Sequence, residues 1–227
     1  TLFRSTKWEL LLDWGIFVIL LLAVSVITYS LFYRQCVESI TESGLYHSDM
    51  KAYILEMRGL NQKYSFPYPI FFKLSALFDR FLGPESAVAL ATTVLNSLGI
   101  LCTKWALNQL CCPRLKKLFP DWKWLAGASV SVLAIGLFFV SMVYPPAGIY
   151  LPGIKYKYLG VFTANPFHNA TYMAARPFAI LAALWFVRLL DSYETKAKAA
   201  DHLLFTLFLL LATMTKPSFT IVLVGVA

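Results

Sequence analysis

The sequence predicts an all-α fold, a polytopic bundle of transmembrane helices that forms part of a larger protein. Of its 227 residues, 59% are hydrophobic and only 14% are charged, whereas a soluble domain carries roughly a quarter charged residues. A helix needs about 20 mostly apolar residues to cross a bilayer, and each of five separate segments has about this length and composition. Because the chain begins at Thr1 and stops within an apolar run at Ala227, we expect a fragment of a longer membrane protein.

The predicted spans lie at residues 10–32, 86–110, 124–143, 172–190 and 203–227, and together they make one transmembrane domain over 1–227. Tryptophans near the start of the first span and tyrosines near its end are typical of membrane interfaces. The fourth span is less regular, because Arg176 and Pro177 lie in its first turn. Lys216 and Pro217 interrupt the fifth span.

The distribution of lysine and arginine predicts the orientation of these spans. Basic residues are dense in the N-terminal tail and in two short connections, 111–123 and 191–202. Short basic connections stay on the cytoplasmic side. We therefore expect a plasma (inner) membrane protein, in contact with membrane lipid, whose N-terminus is cytoplasmic and whose connections 33–85 and 144–171 lie outside. The net charge of +8 is then explained by the basic cytoplasmic connections, and we expect no nucleic-acid partner.

The first outer connection contains an amphipathic segment, PIFFKLSALFDRFLG, at residues 69–83. Its apolar residues recur with helical spacing and form one face, which includes Phe71, Leu74, Leu77, Phe78, Phe81 and Leu82. The segment is too short and too charged to span a membrane. It is therefore expected to form a helix that lies in the outer interface.

The same connection carries the first candidate site, in the stretch SGLYHSDMKAYILEM at residues 43–57. His47, Ser48 and Asp49 precede a helix-compatible segment, 50–60, whose apolar side chains can pack on the membrane domain, and Glu56 lies within that segment. A carboxylate in the first turn of such a helix is placed to act as a general base or to hold a metal ion. The alternative interpretation is an ordinary solvated loop.

Further polar residues lie near the start of the fourth span and within the fifth. NPFHNAT places Asn165, His168 and Asn169 directly before a span, although an aromatic interface belt explains the tyrosines of this loop. Arg176 and Lys216 are charged residues within spans, which are costly and indicate a function unless they reach the interface. Both could bind an anionic phosphate. The motifs of NTPases, zinc proteases and serine hydrolases are absent from the sequence.

Three segments of the sequence carry a family resemblance: YHSDMKAYI, YPIFFKLSALF and TANPFHNATYMAARPFAIL. With them the sequence resembles the GT-C class of integral membrane glycosyltransferases, in particular a group of uncharacterised bacterial proteins of that type. The resemblance implies a larger GT-C-like fold and a polyprenyl-phosphate-linked sugar as donor. It implies that Asp49 is the catalytic base or the holder of a divalent metal ion, assisted by His47, with Glu56 as a second acid. The family often has two neighbouring acids, whereas Asp49 has Ser48 beside it.

Three functions are compatible with the sequence. A cell-envelope glycosyltransferase explains why the outer polar residues fall on one side of the membrane. A transporter or flippase for a lipid-linked or anionic substrate explains the broken fifth span, but it requires polar residues near the midplane of several spans. The first four spans carry almost none apart from Asn96. A structural or assembly subunit explains the composition but not the polar clusters.

Overall fold

The computed structural model describes residues 6–38, 48–62, 65–118, 120, 122–139, 169–194 and 198–226. Within these ranges the chain is all-helical and contains no strand, in agreement with the predicted fold class. The helices are α1 (Thr6–Val37), α2 (Met50–Met57), α3 (Ile70–Asp79), α4 (Pro84–Leu110), α5 (Cys112–Leu118), α6 (Lys123–Phe139), α7 (Ala170–Asp191), α8 (Ala199–Thr215) and α9 (Ser218–Val226).

Three of these helices are long and apolar enough to cross a membrane: Leu11–Val37 of α1, Pro84–Leu110 of α4 and Ala170–Asp191 of α7. Their length and composition support a membrane protein. The third and fifth predicted spans correspond to shorter apolar helices, α6 and the pair α8 and α9. The end predicted for the third span, at residue 143, lies outside the described residues.

Helix α4 is the centre of the bundle. In its most apolar stretch 61% of the residues are buried, against 22% in α1 and 28% in α7, because α1, α3, α6 and α7 all pack on it. The packed surfaces are rich in alanine, including Ala87, Ala91 and Ala174. Small residues let helix backbones approach closely in membranes, where dispersion and hydrogen bonds drive association.

Helices α2 and α3 cover one end of the bundle, where α1 ends and α4 begins. Tyr53 of α2 and Phe71 of α3 are buried in a cluster with Phe32 of α1 and Met173 of α7. Tyr53 contacts the Phe71 ring edge-on at a centroid distance of 5.6 Å. We call this part of the molecule the α2–α3 end.

The predicted amphipathic segment forms α3, but the helix is shorter than residues 69–83 and its buried face differs. Phe71, Phe72 and Ser75 are buried, whereas Leu77 and Phe81 of the predicted face are exposed. The difference arises because α3 ends at Asp79 and packs on α2 and α4. A location in the membrane interface stays a prediction.

At the opposite end of the bundle a buried ion pair joins α1 to α4. The Lys104 ammonium, whose side chain is 0% exposed, pairs with the Asp13 carboxylate. It also donates to the Asn108 side chain and to the Gly127 carbonyl oxygen, both at 3.2 Å. The Ser131 hydroxyl of α6 donates to Asp13 at 3.0 Å. We call these residues the Asp13–Lys104 network.

The Asp13–Lys104 network does not test the prediction that the first four spans carry almost no polar residues near the midplane apart from Asn96. Asp13 and Lys104 lie near helix ends, where charges commonly reach water, but here they turn inward toward each other. Asn96 is itself buried, at 2% exposure, and donates to the Met173 sulfur at 3.7 Å. The Ser25 and Ser97 hydroxyls are also hydrogen-bonded between α1 and α4, at 2.7 Å.

The predicted interruption of the fifth span is present between α8 and α9. Lys216 has an extended backbone, with φ −166° and ψ 124°, and Pro217 cannot donate a backbone hydrogen bond to continue the helix. The Thr213 and Thr220 hydroxyls are hydrogen-bonded across the break at 2.6 Å. The break therefore turns Lys216 out of the regular helix and frees its side chain to reach the start of α7.

Candidate functional site

Polar side chains from three separate parts of the chain meet at the α2–α3 end. Asp49 and Tyr53 come from the start of α2, Asn169 and Thr171 from the start of α7, and Lys216 from the α8–α9 break. We call these five residues the polar cluster. Asp49, Asn169 and Lys216 are predicted site residues that the structure brings together, although they are far apart in the sequence.

Tyr53 links the two sides of the polar cluster. Its hydroxyl lies 3.4 Å from Asp49 Oδ2, 3.3 Å from Asn169 Oδ1 and 3.4 Å from Thr171 Oγ1. The side chain is 1% exposed. Burial raises the pKa of the Tyr53 phenol well above its ordinary value, and the nearby Asp49 carboxylate raises it further. Tyr53 therefore stays protonated and acts as a hydrogen-bond donor.

Asn169 organises the start of α7. It is the N-cap residue, and its side-chain oxygen accepts from the Tyr172 backbone N–H at 3.0 Å, which is the usual way to satisfy a free N–H at a helix start. The same oxygen accepts from the Thr171 hydroxyl at 3.0 Å and from the Lys216 ammonium at 2.9 Å. The cap thus fixes the Asn169 side chain where it meets Lys216.

The polar cluster has more donors than its central acceptor can satisfy. The Asn169 oxygen faces three donors besides the Tyr53 hydroxyl, from Thr171, Tyr172 and Lys216, but an amide oxygen has two lone pairs. The Lys216 ammonium alone carries three N–H groups. An additional acceptor, above all an anionic oxygen, would relieve this shortage. The cluster is therefore chemically suited to an anion.

A cavity of about 280 Å³ lies beside the polar cluster, between α7 and the start of α9, and is lined by Arg176, Lys216, Tyr172 and Ser218 among others. The Arg176 guanidinium lies 5.8 Å from the centroid of the Phe138 ring and 6.0 Å from that of Tyr172. Within the described part of the chain no carboxylate pairs with Arg176. Two predicted binding residues, Arg176 and Lys216, thus share one cavity.

Glu56 lies apart from the polar cluster. Its Oε2 accepts from the Asn61 amide at 2.9 Å and its Oε1 from the Phe66 backbone N–H at 3.4 Å. The side chain lines a separate cleft between α2 and α3. The structure therefore does not place Glu56 beside Asp49 as a second acid. Of the other predicted site residues, His47, Asn165 and His168 lie outside the described residues.

Sequence reasoning did not single out Tyr53 or Thr171 as site residues. The Tyr53 ring packs in the buried cluster of the α2–α3 end, but its hydroxyl belongs to the polar cluster. One indication of this role is present in the sequence: Tyr53 follows Asp49 by four residues, about one helical turn, so the two side chains lie on the same face. Thr171 follows Asn169 by two residues, and no pattern in the sequence marks it.

The donors of the polar cluster fit a divalent metal ion poorly. Asp49 supplies one carboxylate, and the Lys216 ammonium already lies 2.9 Å from the Asn169 oxygen, so a second cation there would be repelled. Among the described residues no three His, Cys, Asp or Glu side chains group together. Hard divalent cations prefer several oxygen ligands, commonly more than one carboxylate. The described residues favour an anion at this place.

No protein-family model, no curated protein and no solved structure matches the chain.

Proposed function

We propose that this chain contains the catalytic site of a GT-C-like glycosyltransferase. The enzyme would move a sugar from a polyprenyl-phosphate-linked donor to an acceptor at the extracytoplasmic membrane face. One observation carries the proposal. A carboxylate, Asp49, and a cation, Lys216, share one hydrogen-bonded cluster beside a cavity that also contains Arg176. Sugar transfer from a lipid phosphate needs both charges, a base for the acceptor and cations for the departing phosphate.

The proposed reaction assigns a role to each charged group. The acceptor hydroxyl oxygen bonds to the anomeric carbon of the donor sugar while the bond between that carbon and the phosphate oxygen breaks. Asp49 takes the proton of the hydroxyl. The leaving polyprenyl phosphate keeps the electron pair, and Lys216 and Arg176 neutralise its added negative charge. Tyr53, which stays protonated, holds the Asp49 carboxylate in place by donating to it.

The test is a transfer assay in liposomes that contain the protein and a radiolabelled polyprenyl-phosphate sugar. Asp49→Asn is expected to lower transfer about 100-fold or more, the usual contribution of a general base. Asp79→Asn is the matched control, because Asp79 forms an ion pair with Arg58 on the same end of the molecule and lies outside the polar cluster. Full activity of Asp49→Asn at normal expression would remove Asp49 from catalysis.

The second candidate function is a transporter or flippase for a lipid-linked anion. The α8–α9 break favours it, because discontinuous helices commonly form the substrate sites of transporters. A fluorescent polyprenyl phosphate in vesicles distinguishes the two functions. Movement of this lipid between leaflets in the absence of an acceptor, lost in Lys216→Met, would favour transport. Sugar transfer without such movement would favour the enzyme.

A further inference from the structure

The cleft between α2 and α3 is a second concave site at the same end of the molecule. It has a volume of about 200 Å³, and the side chains that give it chemical character are Glu56, Phe66, Phe72 and Lys73. Pockets for drug-sized ligands are usually larger, about 300–1,000 Å³. The volume of this cleft therefore suits one small ring.

The Glu56 carboxylate is fixed on the wall of the cleft and can accept further hydrogen bonds. Asn61 donates to one of its oxygens and the Phe66 backbone N–H to the other. A carboxylate offers about four lone-pair positions, so the two bonds from described residues occupy about half of them. The bonds also fix the rotamer of Glu56, which lowers the entropy that a ligand must remove on binding.

Aromatic rings and a second charge complete the cleft. The Phe66 and Phe72 rings lie 5.2 Å apart with an interplanar angle of 36° and offer apolar contact surface. Lys73 also lines the cleft, is exposed and brings three N–H donors. One carboxylate and one ammonium cancel in charge, so the cleft suits a neutral ligand with both donors and acceptors, whereas the cavity beside Lys216 is cationic.

Tyr53 packs behind two aromatic residues that line this cleft, Phe66 and Phe72. Its ring contacts Phe66 at a centroid distance of 5.4 Å and Phe72 at 5.9 Å, while its hydroxyl contacts the Asp49 carboxylate. Glu56 lies three residues after Tyr53, about one turn along α2. The lining rings Phe66 and Phe72 thus contact the residue whose hydroxyl donates to Asp49.

We propose that the Glu56 cleft binds a neutral sugar ring, the carbohydrate unit of the acceptor. Ring hydroxyls donate to Glu56 and accept from Lys73, and the C–H face of the sugar lies against Phe66 and Phe72. The identification of this sugar as the acceptor rests on the proposed function. The binding of a neutral sugar does not, because the cleft and its side chains are independent of Asp49 chemistry.

The test measures binding by saturation-transfer-difference NMR of the whole protein in nanodiscs with methyl glucoside, galactoside, mannoside and N-acetylglucosaminide. At least one glycoside is expected to bind saturably. Glu56→Gln should weaken it about tenfold, because hydrogen bonds to a charged acceptor are roughly twice as strong as neutral ones. Lys73→Ala, at an exposed position, should weaken it several-fold, and the control Arg80→Ala, outside the cleft, should leave it unchanged.

Two results would overturn the proposal: no saturable binding by any of the four glycosides, or binding by Glu56→Gln and Lys73→Ala that equals that of the wild type. Asp49→Asn separates this proposal from the proposed function. It should bind the glycoside normally while failing to transfer sugar. Normal transfer by Asp49→Asn would refute the catalytic assignment alone and leave the sugar site standing on its binding data.

Discussion

Replacing Lys104 by methionine tests how the Asp13–Lys104 network stabilises the bundle. Methionine fills the space of the lysine side chain but removes its charge and its three hydrogen bonds, to Asp13, Asn108 and the Gly127 carbonyl. Asp13, whose side chain is 12% exposed, then keeps only the Ser131 hydroxyl as a partner among these residues. The variant therefore leaves a nearly buried carboxylate without its counter-ion.

The expected cost in the free energy of unfolding is about 3–5 kcal/mol, the usual effect of removing one partner from a buried ion pair. At about 1.4 kcal/mol per factor of ten, the unfolding equilibrium constant rises by two to nearly four orders of magnitude. Adding Asp13→Asn should recover most of this loss, because no charge then remains buried. The double variant is expected within about 2 kcal/mol of the wild type, the loss of one or two hydrogen bonds.

The assay is reversible unfolding in mixed micelles of mild detergent and dodecyl sulfate, followed by tryptophan fluorescence. Lys123→Met is the matched control, because Lys123 is exposed at the start of α6, and it should cost less than about 0.5 kcal/mol. The reasoning is refuted if Lys104→Met costs less than about 1 kcal/mol. It is equally refuted if the two substitutions add without coupling, which would show that the charges do not depend on each other.

Three further predictions concern single positions. Gly127→Ala should destabilise the bundle by about 1–3 kcal/mol, since a Cβ at Gly127 would lie 2.7 Å from the Asp13 side chain; unchanged unfolding would show that α1 and α6 can separate freely. Tyr53→Phe should reduce the loss of stability at alkaline pH. Because the pKa of Tyr53 is raised in the folded protein, the free energy of unfolding of the wild type should fall by up to about 1.4 kcal/mol per pH unit above about pH 10. Parallel stability curves of the two proteins from pH 9 to 11 would contradict this. Arg58→Ala should cost less than about 1 kcal/mol in the same unfolding assay, because the pair with Asp79 is exposed, and a larger loss would indicate that this pair anchors α2 to α3.

The sequence was sufficient to predict an all-helical protein with apolar helices long enough to cross a membrane, and it singled out three of the five residues of the polar cluster. Long apolar runs determine α1, α4 and α7, because a bilayer imposes one length and one composition on a spanning helix. Asp49, Asn169 and Lys216 were placed on one side of the membrane by the distribution of basic residues alone. Their hydrogen-bonded contact is the additional information that the structure supplies.

The contacts that sequence reasoning missed depend on tertiary packing. Asp13 and Lys104 are 91 residues apart, and nothing local distinguishes an inward charge near a helix end from one that reaches water. Two hydroxyl partners of Tyr53, namely Asn169 and Thr171, are more than 100 residues away in the sequence, so they become known only when the start of α7 is placed beside α2. Glu56 was expected to serve as a second acid, but its side chain is held by contacts with Asn61 and Phe66, which no local pattern indicates.

The separation of Asp13 and Lys104 in the chain has a consequence for the biogenesis of the protein. Ribosomes add about 5–20 residues per second, so Asp13 is made some 5–20 s before its counter-charge Lys104, which lies 91 residues later. During that interval the Asp13 carboxylate favours the water interface over the bilayer interior. We therefore expect the final depth of α1 to be set late, when α4 inserts beside it and brings Lys104 to Asp13.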